Sequence, residues 1–320
     1  MLDGLAIDGH LATRGAAGLF DFSFMGHFEI CGPGAGDFLE RVQTRNLACL
    51  APGRILYTLL LREDGSVVND ATLWRLGPDH YWLFTGRPSD FEWLARTRAG
   101  EAEVRQRSGD LAILALQGPR SLELVETTPS YFGFTQALTE GEPATVARLG
   151  YSGELGVEIL VLSASGAALW QRLKDKGARE CGFDTANSLR IESGFILFSN
   201  ELLATPDPFE LGLGKLVTGS GFVGEDALRK KRFAGPRRKL VGLVPTGSTR
   251  AARNLPEAQL TSEAWSPIFG RQIGMGFVPA DDAAPGTLVR LQDGRLARCA
   301  RLPFYDPARV LPRRILISKP

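Results

Sequence analysis

The sequence is poor in the residues that most often bind metals or form disulfides. Its 320 residues include four cysteines and three histidines. No two cysteines form a CxxC pair, so we expect reduced thiols and neither a disulfide framework nor a zinc site. The histidines form no HExxH or HxxxH pattern, which would place two imidazoles on one face of a helix. We therefore predict no metal centre.

The sequence also lacks net charge and long apolar runs. Its 37 basic and 36 acidic residues leave a formal charge of +1, which supplies no broad field for nucleic acid or an anionic membrane. No apolar run approaches the ~20 residues that span a bilayer, and residues 1–15 resemble no secretion signal. We expect a cytoplasmic protein that binds neither nucleic acid nor membrane.

The chain has enough apolar residues to form a large core, and strand and helix patterns alternate along it. Hydrophobic residues make up 44% of the chain, which suffices for one large domain or several ordinary ones. Residues 54–76 read as a β-hairpin that turns at Gly65. Residues 89–100 read as a helix that begins with a capping box of Ser89 and Glu92. These patterns predict an α+β fold.

Residues 120–126 are also predicted as a helix. Near residue 235 the alternation of strand and helix patterns ends. Seven basic residues lie within 229–239, either as a solvated linker or as an anchor for the anionic tail of a ligand or an acidic patch of a partner. Beyond them, short strands alternate with Pro and Gly, as is typical of a small β-barrel or sandwich.

A first candidate site is the hairpin, which carries Tyr57 and Asp70 thirteen residues apart. Strict alternation along the second strand would place Asp70 on the same face as Val68. A carboxylate beside apolar side chains is either buried and paired with another group, or functional, or bonded to nearby backbone amides in the turn.

A second candidate site is the segment YSGELGVEI at 151–159. Its glycines allow a tight turn close to another strand or to a ligand. Glu158 follows within an apolar strand, where an ionised carboxylate needs hydrogen-bond donors to offset its desolvation. The donors would come from a ligand or from an arginine, for which Arg190 is the candidate.

Several segments, in a fixed order, resemble the folate-binding aminomethyltransferase family, of which the glycine cleavage T-protein is the best-known type. They include HLATRG at 10–15, ALQGP at 115–119, YSGELGVEI, SLRIESGF at 188–195 and LPFY at 302–305. The resemblance implies a folate-binding core of interleaved α+β units over residues 1–235 and a C-terminal β-barrel-like domain over 236–320. It also implies tetrahydrofolate as cofactor and transfer of a methyl or aminomethyl group to it.

The same resemblance implies roles for individual residues. Asp70 takes the position of the family's catalytic carboxylate, and the cofactor-binding residues are Tyr57, Tyr151, Glu158 and Arg190. A reduced pterin presents an amino group and a ring N–H side by side, so Glu158 would accept two hydrogen bonds from it. Arg190 would either hold Glu158 in place or meet an acidic group of the cofactor.

Met25 is a further candidate contact, as soft packing beside the pterin ring or as core filling. The chain also departs from the family pattern at Phe24, Asn69 and Thr85, where T-proteins carry histidine, aspartate and asparagine. We therefore expect a shortened paralogue that acts on another small methylated or aminomethylated donor, as an N-, O- or S-demethylase. The alternatives are a non-catalytic folate-binding accessory protein and a folate-binding subunit, with a flavoprotein or a carrier protein as a separate partner chain.

Overall fold

The computed structural model describes residues 3–98, 100–246 and 255–314. The helices of this part of the chain are α1 Gly4–Gly15, α2 Ala35–Val42, α3 Asp90–Thr97, α4 Ser163–Asp175, α5 Phe183–Glu192 and α6 Glu225–Ala234. The strands are β1 Gly18–Asp21, β2 Gly26–Cys31, β3 Ile55–Leu61, β4 Val67–Gly77, β5 His80–Thr85, β6 Glu103–Gln106, β7 Leu111–Gln117, β8 Phe134–Thr139, β9 Glu142–Ala147, β10 Gly156–Leu162, β11 Arg179–Glu180, β12 Arg238–Pro245, β13 Glu257–Ser266, β14 Arg271–Pro279, β15 Leu288–Leu291 and β16 Leu296–Ala300. No helix among the described residues is long and apolar enough to cross a membrane.

Two open sheets form the N-terminal part of the fold. The first has the order β3-β4-β5-β2-β6, and all its neighbours are antiparallel. The second has the order β11-β1-β7-β10-β9-β8, in which only the β1–β11 pair is parallel. The chain passes from the second sheet into the first and back, which matches the predicted interleaving of α+β units.

The two sheets face each other across a shared apolar core. Side chains from both sheets form one cluster, which includes Phe20, Ile55, Trp74, Phe84, Ile113, Ala115 and Leu160. The opposite face of each sheet has a core of its own, under α2 and α3 for the first sheet and under α4 for the second. Residues on the two inner faces therefore lie toward one common interior.

The C-terminal strands close into a barrel with the order β12-β14-β13-β15-β16, and β16 pairs back onto β12. Helix α5 joins the barrel to the sheets, because Ile191 packs against Ala264, Ile273 and Met275. The α+β class with a C-terminal barrel is confirmed. The sequence analysis did not predict strand β13, Glu257–Ser266.

The hairpin of β3 and β4 is confirmed, but one detail of its pattern is wrong. The register shifts between Leu60 and Leu61, so that Val68 is an additional residue in β4. Such a bulge breaks strict alternation. Val68 therefore packs with Ala71 in the core on the outer face, and it does not share the face of Asp70.

Three local predictions are also corrected. Ser89 precedes α3 but makes no capping hydrogen bond from its side chain, because its own backbone is already helical. The predicted helix at 120–126 is only a short 3-10 turn over Ser121–Glu123. The basic run is no simple linker, since its first part belongs to α6, which ends with Gly235 as its C-cap.

Candidate functional site

Tyr57 and Asp70 lie side by side on the inner face of the first sheet. Tyr57 is paired with Thr72 across the strands, and Asp70 is paired with Leu59, so the two residues are diagonal neighbours. The Tyr57 hydroxyl donates a hydrogen bond of 2.8 Å to Oδ2 of Asp70. The structure thus brings together the two residues of the hairpin that the sequence singled out.

The pKa of Asp70 differs from the ordinary value for an aspartate. Burial raises its pKa to about 6, and the hydrogen bond from Tyr57 opposes this rise. The negative charges of Asp90 and Glu201 raise it further. A carboxylate with a pKa near neutrality is suited both to carry negative charge and to exchange a proton at physiological pH.

Glu158 lies on the inner face of the second sheet. It is paired with Ala115 on β7 and with Ala147 on β9, and both alanines belong to the shared core. Its exposure is 7%. Within the described part of the chain, no hydrogen bond or ion pair reaches its carboxylate, and burial raises its pKa to about 7.

The turn before β10 has the tight geometry that its glycines indicated. Gly153 has a φ of +78°, and a Cβ there would lie 2.2 Å from Oγ of Ser193. Only glycine fits this position without strain. The turn therefore packs against the end of α5, and it sets the start of the strand that carries Glu158.

Tyr151 joins the same region from this turn. Its hydroxyl donates a 2.5 Å hydrogen bond to the carbonyl of Ile196, and its ring stacks on Phe195 at 5.7 Å with an interplanar angle of 17°. Burial raises the pKa of Tyr151 well above its ordinary value, with the positive charge of Arg190 lowering it and the negative charge of Asp70 raising it. Tyr151 therefore lies within the electrostatic range of Asp70.

Arg190 does not pair with Glu158. Its guanidinium donates to Glu201 Oε2 at 2.8 Å and to Ser262 Oγ at 2.7 Å. It also bonds the Phe195 carbonyl and the Asn187 side chain. Arg190 is fully buried, and four of its five N–H donors are used inside the protein. The suggested link between Arg190 and Glu158 is therefore wrong, and this placement favours a structural role over a ligand contact.

Met25 is half-buried and packs at the edge of the shared core, so both of its predicted roles stay open. Of the three departures from the family pattern, Asn69 and Thr85 have buried side chains, and Oδ1 of Asn69 accepts a 3.0 Å hydrogen bond from the backbone N–H of Asp70. Asn69 bonds Asp90 at 2.6 Å, and Thr85 bonds the Arg87 carbonyl at 3.0 Å on the outer face. Only Phe24 is exposed near Met25, at 51%.

Two further residues of this region, Phe195 and Arg309, were not predicted as site residues, although Phe195 ends the segment SLRIESGF at 188–195. The Arg309 guanidinium lies over the Phe195 ring, 5.1 Å from its centroid, and its charge acts on the Tyr57 hydroxyl. Arg309 comes from the segment after the barrel. Contacts between such distant segments are set by tertiary packing, so no local pattern reveals them.

The chain matches two family models and is similar to several aminomethyltransferases over most of its length. Residues 3–220 match the family model described as the GCVT N-terminal domain, and residues 238–306 match the glycine cleavage T-protein C-terminal barrel domain. An aminomethyltransferase of Symbiobacterium thermophilum is 37% identical over 333 residues, which cover 93% of this chain and 89% of that protein. An aminomethyltransferase of Halothermothrix orenii is 33% identical over 324 residues, which cover 93% of this chain and 91% of that protein.

A solved structure is similar over the same extent. The crystal structure of glycine cleavage system aminomethyltransferase T from Bartonella henselae superimposes with a TM-score of 0.83 at 27% identity, covering 93% of this chain and 89% of that chain.

Proposed function

The chain belongs to the glycine cleavage T-protein family of aminomethyltransferases, and from this premise we propose that it is a tetrahydrofolate-dependent enzyme of one-carbon, in particular aminomethyl, transfer. In this proposal Glu158 holds the reduced pterin, and Asp70 acts on the reacting atoms. Tyr57 sets the charge state of Asp70, and Tyr151 lends an aromatic face to the pocket.

The observation that carries the proposal is that the buried carboxylate of Glu158 has no hydrogen-bond partner among the described residues. A buried carboxylate without donors is costly, so a protein rarely retains one unless a ligand supplies them. The adjacent N–H groups of a reduced pterin fit this need, because a carboxylate accepts two parallel hydrogen bonds. The residues on the two inner faces therefore fit the cofactor that the family uses.

When bound, tetrahydrofolate supplies the nucleophilic N5 nitrogen that accepts the one-carbon unit. Transfer of that unit from nitrogen develops positive charge and requires a proton to move. Asp70 is half-buried on the inner face of the sheet, where a fixed negative charge stabilises such a cation more strongly than in bulk water. Its pKa of about 6 also lets it hold the proton transiently at Oδ1 or Oδ2.

The alternative functions are those of a non-catalytic folate-binding protein and of a folate-binding subunit of a flavoprotein demethylase. Neither requires a carboxylate with a shifted pKa that is oriented by a tyrosine hydroxyl. The Tyr57–Asp70 pair therefore favours the enzyme. The argument for an unusual donor is weakened, because the side chains of Asn69 and Thr85 are buried and of the three differences only Phe24 is exposed.

The proposed function is tested by incubating the purified protein with tetrahydrofolate and a panel of donors, and by following the folate products by mass spectrometry. The panel contains a lipoyl-bound aminomethyl group, N-methylated amino acids, ethers and thioethers. We expect a one-carbon folate product with at least one nitrogen-linked donor, and loss of that product in Asp70→Asn. Folate binding without any product across the panel would contradict the proposal.

A further inference from the structure

Gln117, the last residue of β7, lies on the inner face of the second sheet beside Glu158. It is paired across the strands with Gly156, and Glu158 is paired with Ala115. Gln117 and Glu158 are therefore diagonal neighbours on one face. Because Gln117 is only 1% exposed, its side-chain amide has to find its hydrogen bonds within the protein.

The amide of Gln117 bonds to the chain before, within and after the turn that precedes β10. Nε2 donates to the carbonyl of Leu149 at 3.1 Å and to the carbonyl of Val157 at 3.4 Å. Oε1 accepts a 2.8 Å hydrogen bond from the hydroxyl of Ser152. One side chain thus ties both ends of this turn to its middle.

Two glycines of the turn make room for this amide. A Cβ at Gly150 would overlap Oε1 of Gln117, and a Cβ at Gly156 would overlap Nε2. Glycine allows such a close approach because it carries no side chain. The turn is therefore folded around the Gln117 amide, and Tyr151 lies within the folded part.

The same hydrogen bonds fix the orientation of the amide. Both N–H groups of Gln117 are directed at carbonyl oxygens, which only accept, and Oε1 faces a hydroxyl, which can donate. The Ser152 hydroxyl oxygen in turn accepts a 3.1 Å hydrogen bond from the Glu154 backbone N–H. Gln117 therefore spends its donors on the turn, and the carboxylate of its neighbour Glu158 is left for the donors of a ligand.

We propose that Gln117 is a positioning residue for folate binding, which holds Tyr151 and Glu158 at a fixed spacing on the inner wall of the second sheet. The inference rests on the proposed function, in which Glu158 binds the pterin and Tyr151 supplies an aromatic face. Gln117 acts on the ligand only through the turn. A binding site of this kind requires its groups to stay within about 0.5 Å of the productive geometry.

The test compares three variants of the full chain. Gln117→Met has a side chain of similar length but loses all three hydrogen bonds of the amide. Ser152→Ala is the smaller change, which removes one of these bonds and keeps the test decisive if Gln117→Met does not fold. Leu169→Ala is the matched control, because Leu169 is fully buried in the core on the opposite face of the same sheet. Thermal unfolding ranks the stability of all three.

The dissociation constant of 5-formyl-tetrahydrofolate is measured for each variant. We expect binding at pH 8 to weaken roughly tenfold or more in Gln117→Met and about threefold in Ser152→Ala. Leu169→Ala is expected to stay within about twofold of the native affinity, although its cavity lowers the melting temperature. Losses of affinity that follow the melting temperature in all three variants would show a role in stability alone and would overturn the inference.

Two further readouts separate positioning from stability. Burial raises the pKa of Glu158 to about 7, so the native affinity depends on pH in that range. This dependence should flatten in Gln117→Met and persist in Leu169→Ala. In a double-mutant cycle, Gln117→Met should cost less than about threefold when Glu158 is already glutamine, because the contact that it positions is gone.

Native-like binding by Gln117→Met, or losses that simply multiply in the cycle, would overturn the inference and leave the proposed function intact. Failure of the native protein to bind 5-formyl-tetrahydrofolate would instead overturn the proposed function on which the inference rests.

Discussion

The hydroxyl of Tyr57 donates its hydrogen bond to the one carboxylate, Asp70, that lies diagonally across the β3–β4 ladder from it, at 2.8 Å. This bond favours the ionised form of Asp70, whose pKa burial raises to about 6. Because both groups are held by paired strands, their geometry does not depend on a mobile loop.

Replacement of Tyr57 by phenylalanine tests this relationship. The variant keeps the ring but loses the donor, so the pKa of Asp70 rises above about 6. If ionised Asp70 is required, the acid limb of the pH–rate profile moves to higher pH by about one unit. The profile of kcat against pH is measured at saturating tetrahydrofolate. An acid limb at the native position would show that the bond does not control Asp70.

Asp70→Asn separates chemistry from binding. The substitution is nearly isosteric and removes the charge, so we expect turnover to fall by two orders of magnitude or more. The dissociation constant of 5-formyl-tetrahydrofolate is expected to change less than about threefold, because Glu158 supplies the main polar contact in this account. Single-turnover rates and binding are measured on the same preparation. Native turnover would remove Asp70 from the mechanism.

Arg190 is predicted to act on stability. Its buried partner Glu201 also accepts a 2.8 Å hydrogen bond from the Leu197 N–H and one of 2.7 Å from Thr261. Arg190→Met leaves this acid buried without its cation, so we expect the free energy of unfolding in urea to fall by about 3–5 kcal/mol. The double variant Arg190→Met with Glu201→Gln should recover part of the loss. Weaker folate binding with native stability would instead indicate a direct ligand contact.

His27 should make the protein sensitive to acid. Its ring stacks on Phe84 at 4.5 Å and meets Trp82 edge-on at 5.1 Å. Neither ring nitrogen has a hydrogen-bond partner in the described structure. Burial lowers the pKa of His27 to about 4 from 6.5, although the charges of Asp110 and Glu29 raise it.

Because the folded-state pKa is the lower one, the unfolded chain binds more protons as the pH falls from about 6.5 to 4, and stability is lost over that range. The loss reaches about 3 kcal/mol at most. His27→Phe is expected to remove it, and the difference between native and variant unfolding free energies cancels the other titrating groups. Parallel pH curves for the two proteins would contradict this assignment.

Those features of the fold and of the site that depend on local sequence patterns or on the family resemblance were predicted from the sequence. The hairpin with Tyr57 and Asp70 and the glycine turn before Glu158 follow from spacing and turn residues. The bulge at Val68 was not predictable, since it depends on how β4 pairs with β3. The partner of Arg190 was misjudged for the same kind of reason, because Glu201 lies in a short turn that only tertiary packing brings to the helix.

The most direct test of the central claim is the pH dependence of 5-formyl-tetrahydrofolate binding by the native protein and by Glu158→Gln. Ionised Glu158 accepts both pterin donors, and burial raises its pKa to about 7. We therefore predict that the native affinity falls about tenfold per pH unit below 7. Glu158→Gln should bind at least roughly tenfold more weakly at pH 8, with a flat pH profile. Equal affinity and the same pH profile in both proteins would contradict the account.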